Sequence, residues 1–225
     1  MGTLSLVLDA FAPVAGRHLL DIGCGPGAMA AALTGRGARV TGIDPGAAAV
    51  AAARLRAPDA TFEVGSAAAL PFPAGRFDGA LILNALHHVP DPGAALHEAA
   101  RVVRAHGPIV VVEPLAEGSF FAALKPIEDE TAIRATAQAA ITAAIAAGAF
   151  RCVRAVTFVR REAFAGLPAF LERVAAVDPA RKAAIRDNAA ATATAFAKAA
   201  EPDAAGRHVL LQPLRAHVLV AIEPV

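Results

Sequence analysis

The feature that most constrains the fold is a glycine-rich turn between an apolar strand and a helix. A strand pattern spans His18–Ile22, the glycines follow as Gly23, Gly25 and Gly27, and a helical pattern covers Ala28–Thr34. Glycine lets the backbone turn sharply and come close to a ligand where a Cβ would clash. Such a turn, with a helix start beyond it, is typical of open α/β sheets that bind a ligand at the carboxyl ends of their strands.

Short apolar strands and helical stretches alternate through the rest of the first half. The further strands are predicted at Arg39–Ile43, Thr61–Val64, Phe77–Leu83 and Pro108–Val112, and the further helices at Pro45–Arg56 and Ala94–Arg104. Strands separated by helices of this length predict a parallel sheet with helices on both faces.

The second half has a different pattern. We expect mostly helix over Ser119–Phe150, a strand at Arg151–Val159, helices at Glu162–Val174 and Pro179–Ala200, and a last strand within His208–Ile222 that Pro213 interrupts. The acidic run Glu128–Glu130 is most simply a solvated helix start, and the alternative is attraction of a cationic ligand.

Two acids accompany the glycine turn. Asp21 lies two residues before Gly23, and Asp44 ends the second strand, 19 residues after Gly25. A carboxylate at the Asp44 position can accept both hydroxyls of a ribose, as in NAD-binding domains. However, the dinucleotide pattern G-x-G-x-x-G places a pyrophosphate on the helix. Here the glycines alternate, and an acid next to them would repel a phosphate but suit an amino group.

The glycine turn resembles the first motif of class I S-adenosylmethionine-dependent methyltransferases. The likeness continues in order through Val64–Phe72, Phe77–Ala80, Asn84–Pro92, Ala99–Arg104 and Ile109–Pro114. The subgroup is that of the ubiquinone and menaquinone biosynthesis methyltransferases, the type 11 methyltransferase domain. The resemblance spans roughly His18–Pro114 and is specific for the cofactor but not for the acceptor.

The resemblance implies an α/β fold with a Rossmann-like, doubly wound, mostly parallel seven-stranded sheet and a helical lid insertion. We expect residues 1–225 to form a single methyltransferase domain. Residues 1–115 would be its cofactor-binding half, 116–150 its helical lid, and 151–225 its remaining strands and acceptor-side helices.

The resemblance also implies which residues bind S-adenosylmethionine. Asp21 and the Gly23–Gly27 backbone would contact the methionine part, Asp44 the ribose, Ser66 and Ala67 the adenine, and Asn84 the methionine amino group. The predicted cofactor-binding residues are Asp21, Gly23, Cys24, Gly25, Gly27, Asp44, Pro45, Ser66, Ala67 and Asn84. Cys24 is interpreted as a small apolar filler and not as a nucleophile.

One departure from the family concerns Ser66, where an Asp is common. A neutral acceptor makes a weaker hydrogen bond than a carboxylate, so this departure predicts a lower affinity for the cofactor. A second departure is Ala105–Gly107, where the family often has Lys-Pro-Gly-Gly.

Candidate catalytic residues follow the fourth and fifth strands. His87 and His88 could act as a base, because histidine titrates near neutral pH. In the alternative, one of them caps the loop and the other packs against the cofactor. Glu113 could orient an acceptor or be held by backbone N–H groups.

Composition excludes several other classes. With 56% apolar and 18% charged residues, the chain can bury a sizeable core. A net charge of +1 and the absence of Trp and Tyr argue against nucleic-acid binding. The uncharged run Ala135–Phe150 is shorter than the ~20 apolar residues of a spanning helix, which argues against membrane insertion.

Localisation and partners follow from the same considerations. Cys24 and Cys152 fit neither a disulfide framework nor a metal site, and Met1–Asp9 lacks a signal-peptide pattern, so a reduced, cytoplasmic setting is expected. The expected partner is a small-molecule acceptor of a protein that is monomeric or homodimeric. The expected product is S-adenosylhomocysteine, and no metal is expected.

Two other functions stay open. A chain of this kind could bind S-adenosylmethionine or S-adenosylhomocysteine without catalysis, and an NAD-dependent oxidoreductase is disfavoured by the glycine spacing.

Overall fold

The strands of the computed structural model, which describes residues 2–178 and 180–222, form one mixed, mostly parallel sheet. They are β1 His18–Ile22, β2 Arg39–Asp44, β3 Thr61–Val64, β4 Gly79–Leu83, β5 Pro108–Pro114, β6 Phe150–Phe164, β7 Glu201–Pro202 and β8 His208–Ala221. The seven main strands lie in the order β3-β2-β1-β4-β5-β8-β6, and the short β7 pairs with β8. The predicted α/β fold and its seven-stranded sheet are confirmed.

The helices lie between these strands. They are α1 Thr3–Ala10, α2 Ala28–Thr34, α3 Ala47–Arg56, α4 Pro92–Val102, α5 Ser119–Leu124, α6 Thr131–Ala146, α7 Leu167–Val177, α8 Arg181–Asp187 and α9 Ala189–Ala199, with a 3₁₀ turn at Leu86–His88. Through β5, each predicted strand and helix is present to within a few residues. No helix in the described ranges has the length and apolar character to cross a bilayer.

The central strands are buried because helices cover both faces of a parallel sheet. β1 pairs in parallel with β2 and β4, and β4 pairs in parallel with β5. Their side chains are almost all buried, which explains their near-continuous apolar sequences. The parallel arrangement brings the carboxyl ends of β1, β2, β4 and β5 to one edge of the sheet.

The chain forms two compact units. Unit 1 contains the described residues 2–113, 136–156 and 215–222, and unit 2 contains 114–135, 157–178 and 180–214. The core of unit 1 includes Ala137, Ile141 and Phe150, none of them more than 3% exposed. Removing the segment 116–150 that we predicted as a lid would therefore take core residues from unit 1. The lid role of residues 116–150 stays a prediction.

The predicted helix at Glu162–Val174 begins too early. Burial alternates along β6 up to Glu162 and the strand continues to Phe164, so Glu162 belongs to that strand, and the helix is Leu167–Val177. Pro168 lies in the first turn of this helix, where a missing N–H costs nothing. The helix therefore begins beside Pro168 and not at Glu162.

Two further expectations in unit 2 need correction. Within the predicted helix Pro179–Ala200, where residue 179 lies outside the described residues, the structure has two helices that meet at Asn188. Pro213 does not interrupt β8, which runs through it. The Pro213 carbonyl accepts a hydrogen bond from Leu115 N at 3.0 Å, and a carbonyl acceptor needs no N–H.

The acidic run at the start of α6 is not simply solvated. Glu130 is 2% exposed and pairs with two buried arginines, Arg134 and Arg181. The interpretation of Glu128–Glu130 as a solvated helix start is therefore wrong for Glu130. Unit 2 also contains an aromatic cluster that includes Phe120, Phe164, Phe170 and Phe196.

Candidate functional site

The glycine-rich turn begins where β1 ends and is held against β2. The backbone N–H groups of Gly23 and Cys24 both donate to the Ile43 carbonyl, at 2.8 and 3.1 Å. Gly23, Gly25 and Gly27 all have positive φ, at 72°, 50° and 75°. L-residues rarely adopt this region, so the turn needs glycine at these positions.

The three glycines serve two different purposes. A Cβ on Gly23 would clash with Ala85, and one on Gly27 would lie 2.9 Å from the Ala53 Cβ. A Cβ on Gly25 would meet no described atom within 4 Å. Gly23 and Gly27 therefore permit close packing within the protein, whereas Gly25 leaves its face of the turn open to a ligand.

Asp21 is a buried carboxyl group that is incompletely satisfied. Its residue is 2% exposed, and its Oδ2 has no hydrogen-bond partner among the described residues. Burial, with a smaller contribution from nearby Asp44, raises the pKa of Asp21 to about 7. A positively charged group beside Oδ2 would supply the missing hydrogen-bond partner and stabilise the buried carboxylate. Asp21 therefore suits a cationic ligand.

Asp44 binds the turn as well as facing outward at the sheet edge. Its Oδ2 accepts from Gly25 N at 2.9 Å, and its Oδ1 accepts from Gly46 N at 2.8 Å. Each carboxylate oxygen has two acceptor positions, so capacity for ligand hydroxyls is left. Pro45 follows as an exposed residue.

Cys24 is a packed side chain within the turn. It is buried, and its Sγ lies against Gly42, where a Cβ would come within 2.9 Å of it. Burial, followed by the charges of Asp21 and Asp44, raises the pKa of the Cys24 thiol. A thiol without thiolate character is a poor nucleophile, which agrees with the interpretation as an apolar filler.

The predicted adenine-side residues lie just beyond β3. Gly65 N donates to the Asp44 carbonyl at 3.1 Å, which places this loop beside the end of β2. Ser66 is exposed, and its hydroxyl accepts from Ala68 N at 3.2 Å, while Ala67 packs against the core of unit 1. The Ser66 hydroxyl thus retains its own proton and one acceptor position.

Sequence reasoning missed the residues that anchor this loop. Glu98 accepts from Leu70 N at 2.7 Å, and Arg101 donates to the Phe72 and Leu70 carbonyls at 2.7 and 3.0 Å. The hydrogen bond from Arg101 holds the pKa of Glu98 below its usual range. Their spacing of three residues on α4 was the available signal, since such pairs share a helix face.

The fourth and fifth strands bring the remaining candidates together. Asn84 follows β4 with a φ of 52°, and its N–H donates to the Val112 carbonyl at 2.8 Å. Glu113 is 1% exposed and contacts Nδ1 of His87, which is also buried. His88 is exposed, and its ring lies 4.0 Å from that of His87 between centroids.

Comparison with known proteins supports the identity of this domain. Residues 20–111 match the family model described as a methyltransferase domain. The chain contains a methyltransferase domain. This family implies the use of S-adenosylmethionine, and the matched residues span β1 to β5, the part of the chain that holds all the predicted cofactor residues.

Individual relatives agree with this assignment. The ubiquinone biosynthesis O-methyltransferase of Alkalilimnicola ehrlichii is 40% identical over 114 residues, 48% of this chain and 45% of that protein. The chain thus spans about half the length of the curated relatives it matches. The solved structures of YcgJ from Bacillus subtilis and YjhP from E. coli share the fold.

The structural matches cover almost the whole chain. YcgJ has a TM-score of 0.66 at 21% identity, over 98% of both chains. YjhP has a TM-score of 0.62 at 17% identity, over 97% of this chain and 91% of the other. The fold likeness therefore extends beyond residues 20–111, the part of the chain that matches the family model.

Proposed function

We propose that this protein transfers a methyl group from S-adenosylmethionine to a small-molecule acceptor. The observation that carries the proposal is the unpaired, buried oxygen of Asp21 on the strand that leads into the open turn at Gly25. A ligand with an amino group and no phosphate satisfies Asp21, whereas a pyrophosphate would be repelled by it. The name of the matched relatives, which are methyltransferases, supports the same conclusion.

The residues present fit this cofactor. Asp21 would bind the amino group of the cofactor and Asp44 its ribose hydroxyls, while Ser66 and Ala67 would contact its adenine. Because Gly25 has no Cβ, the cofactor could come close to the backbone of the turn there. When bound, S-adenosylmethionine supplies a methyl group on a positively charged sulfur. The chain's own contribution is to orient this group and the acceptor and to exclude water.

The first experiment is calorimetric titration of the purified protein with S-adenosylmethionine, S-adenosylhomocysteine and NAD in parallel. Binding of both adenosyl compounds, with no binding of NAD, is the expected result. NAD binding alone would favour an oxidoreductase. Binding of the adenosyl compounds without methylation of any tested acceptor would favour a non-catalytic binding protein.

Asp44→Ala is expected to weaken S-adenosylmethionine binding by ~1–3 kcal/mol, because hydrogen bonds to a charged acceptor are lost. Part of this loss comes through the turn, since Asp44 also accepts from Gly25 N. Calorimetry measures the change. Asp59→Ala, an exposed substitution beyond α3, is the control that should bind as the wild type does. Wild-type affinity in Asp44→Ala would refute the ribose assignment.

Gly25→Ala is expected to weaken S-adenosylmethionine binding by at least about tenfold, because its Cβ would occupy the open face of the turn. The matched control is Gly16→Ala. Gly16 also has positive φ, at 79°, and no described atom near an added Cβ. Both variants carry similar backbone strain, so unfolding midpoints should fall equally. Equal loss of binding in the two variants would show that strain, and not a blocked face, is responsible.

A further inference from the structure

Unit 2 contains two arginines that share one carboxylate. Arg160 lies on β6 and Arg173 on α7. The Nε of Arg160 is 2.7 Å from Oε1 of Glu162, and the Nε of Arg173 is 3.4 Å from Oε2 of the same residue. Two positively charged groups therefore meet one negatively charged group, and one positive charge is left unbalanced.

The contact between Arg160 and Glu162 is close but poorly aligned. Neither Arg160 Nε nor Glu162 Oε1, both of them buried atoms, makes a hydrogen bond to any described residue. A guanidinium has five N–H donors and a carboxylate about four acceptor positions, so Glu162 cannot satisfy both arginines. The two arginines therefore keep donors that an anionic ligand could use.

The surroundings of Arg160 raise the cost of the unbalanced charge. Its side chain is 33% exposed, and its guanidinium lies over the Phe120 ring, 5.9 Å from the centroid. Burial is the largest cause that lowers the pKa of Arg160, and Glu162 opposes it. The charges of Arg173 and Arg134 lower this pKa further. A negatively charged ligand beside Arg160 would therefore be stabilising.

Two other arginines of unit 2, both buried, show the opposite situation. Arg134 and Arg181 are 4% and 7% exposed. They pair with Glu130 and Glu128, so that two positive charges face two negative charges. The excess of positive charge at Arg160 is therefore a property of that place and not of all the buried arginines in the unit.

An apolar side chain lies on the same strand face as this charge. Half-buried residues alternate with exposed ones along β6, which puts Phe158, Arg160 and Glu162 on one face of the strand. Residues two positions apart on a strand are about 7 Å apart. A small ligand can therefore contact the half-buried Phe158 ring with its body while its anionic group binds Arg160.

We propose that unit 2 binds a small organic carboxylate with an aromatic or apolar body, held at its carboxylate by Arg160 and Arg173 and at its body by Phe158. A carboxylate carries one negative charge, which matches the one unbalanced positive charge, whereas a phosphate group carries nearly two. The planar guanidinium also forms paired hydrogen bonds with a carboxylate. None of the predicted cofactor residues belongs to unit 2, so the inference does not depend on the proposed methyl transfer.

The probe is benzoate, and its neutral counterpart is benzamide, which has the same ring without the charge. Both compounds and inorganic phosphate are titrated into the full chain without cofactor, and binding is followed by ligand-observed NMR. Benzoate should bind at least about tenfold more tightly than benzamide, because hydrogen bonds between charged groups are the stronger ones. Phosphate should bind more weakly than benzoate. Absence of benzoate binding, or tighter binding of phosphate, would overturn the inference.

Two substitutions should change the affinity for benzoate in opposite directions. Arg160→Gln removes a positive charge and should weaken binding at least about tenfold. Glu162→Gln removes the competing carboxylate and should strengthen binding by about threefold. Weaker binding in both variants would mean that the ion pair only supports the local structure, and the proposed site would be wrong.

The matched control is Arg161→Gln, at the next position on β6 and on its other face. Arg161 is 52% exposed and lies 3.4 Å from Asp203, so benzoate affinity should stay within about twofold of the wild type. Thermal unfolding followed by circular dichroism checks that all three variants are folded. Equal weakening by Arg160→Gln and Arg161→Gln would indicate unspecific attraction to a basic surface and would refute the site. Failure of S-adenosylmethionine to bind would overturn the proposed function and leave this test intact.

Discussion

Replacing Arg134 with methionine is expected to lower the free energy of unfolding by about 3–5 kcal/mol, because removing one partner of a buried ion pair is strongly destabilising. Arg134 is 4% exposed and donates to Glu130 through both Nε and Nη2, at 2.8 and 2.5 Å. Its Nη1 donates to the Leu115 carbonyl and to Gln212 Oε1, at 2.8 and 3.1 Å. Methionine would fill similar space but satisfy none of these groups.

The surroundings of Arg134 explain why the loss should be large. Glu130 would keep its ion pair with Arg181, whose Nη2 donates to its Oε1 at 2.6 Å. The buried Oε1 of Gln212 would lose the hydrogen bond that Arg134 donates. The Leu115 carbonyl would lose its bond from Arg134 and keep the one from Gln212 Nε2, at 2.9 Å. The guanidinium also lies over the Phe121 ring, 4.6 Å from its centroid.

The matched control is Lys125→Met. Lys125 and Asp129 have the same four-residue spacing as Glu130 and Arg134, but they lie 3.5 Å apart with both side chains 52% exposed. Exposed pairs contribute about 0–1 kcal/mol. Urea unfolding followed by far-ultraviolet circular dichroism measures both variants, since the chain has no Trp. Equal effects of the two substitutions would mean that burial of the network does not matter.

The second large effect is expected at Asp21. Between about pH 4 and pH 8, Asp21→Asn should gain up to about 4 kcal/mol of stability relative to the wild type in the free protein. The folded-state pKa of Asp21 is raised to about 7 from 3.8, chiefly by burial. The native state therefore binds more protons than the unfolded state between these values.

The direction of the pH dependence follows from this proton difference. As the pH rises from about 4 to 7, the unfolded state ionises Asp21 freely while the native state resists, so wild-type stability falls. Above pH 7 both states are ionised and this contribution levels off. The Asn variant has no such decrease. Its unpaired amide costs about 1–3 kcal/mol at every pH, which reduces the net gain.

Unfolding curves at pH 4, 6 and 8 test this expectation. Asp59→Asn, at an exposed position, should leave the pH dependence of the wild type unchanged. Parallel pH profiles for wild type and Asp21→Asn would contradict the assignment of a buried, unsatisfied carboxyl. The same variant should bind S-adenosylmethionine more weakly. That result would show that the Asp21 carboxylate lowers the stability of the free protein but contributes to ligand binding.

The first half of the chain could be read closely from its sequence. β1 His18–Ile22 and α2 Ala28–Thr34 lie where the apolar pattern and the glycines placed them. The candidate residues after β4 and β5 meet as expected, because parallel strands bring their carboxyl ends to one edge. The choice between the two alternatives for Glu113 could not be made, since its contacts with Ala85 and Leu86 depend on which backbone groups face it.

The second half of the chain could not be predicted as closely from its sequence. Glu130 sits in an acidic run that looks solvated, yet it pairs with buried Arg134 and with buried Arg181, which lies 51 residues later in the chain. The sequence predicts a helix from Glu162, yet β6 extends past this residue to Phe164. In both cases a local preference of a few tenths of a kcal/mol is overridden by distant packing partners.

The sequence by itself determined the β1–turn–α2 motif, the order of strands and helices through β5, and the methyltransferase domain they form. The motif and the order of elements follow from backbone preferences and hydrophobic periodicity, which act between near neighbours in the chain, whereas the methyltransferase domain was inferred from its resemblance to a known family. Only the tertiary structure decided that Gly25, among the three glycines of the turn, faces open space, that Asp21 Oδ2 has no described partner, and that Glu113 contacts the His87 ring. Those properties depend on which distant atoms come within contact distance, and packing alone sets that.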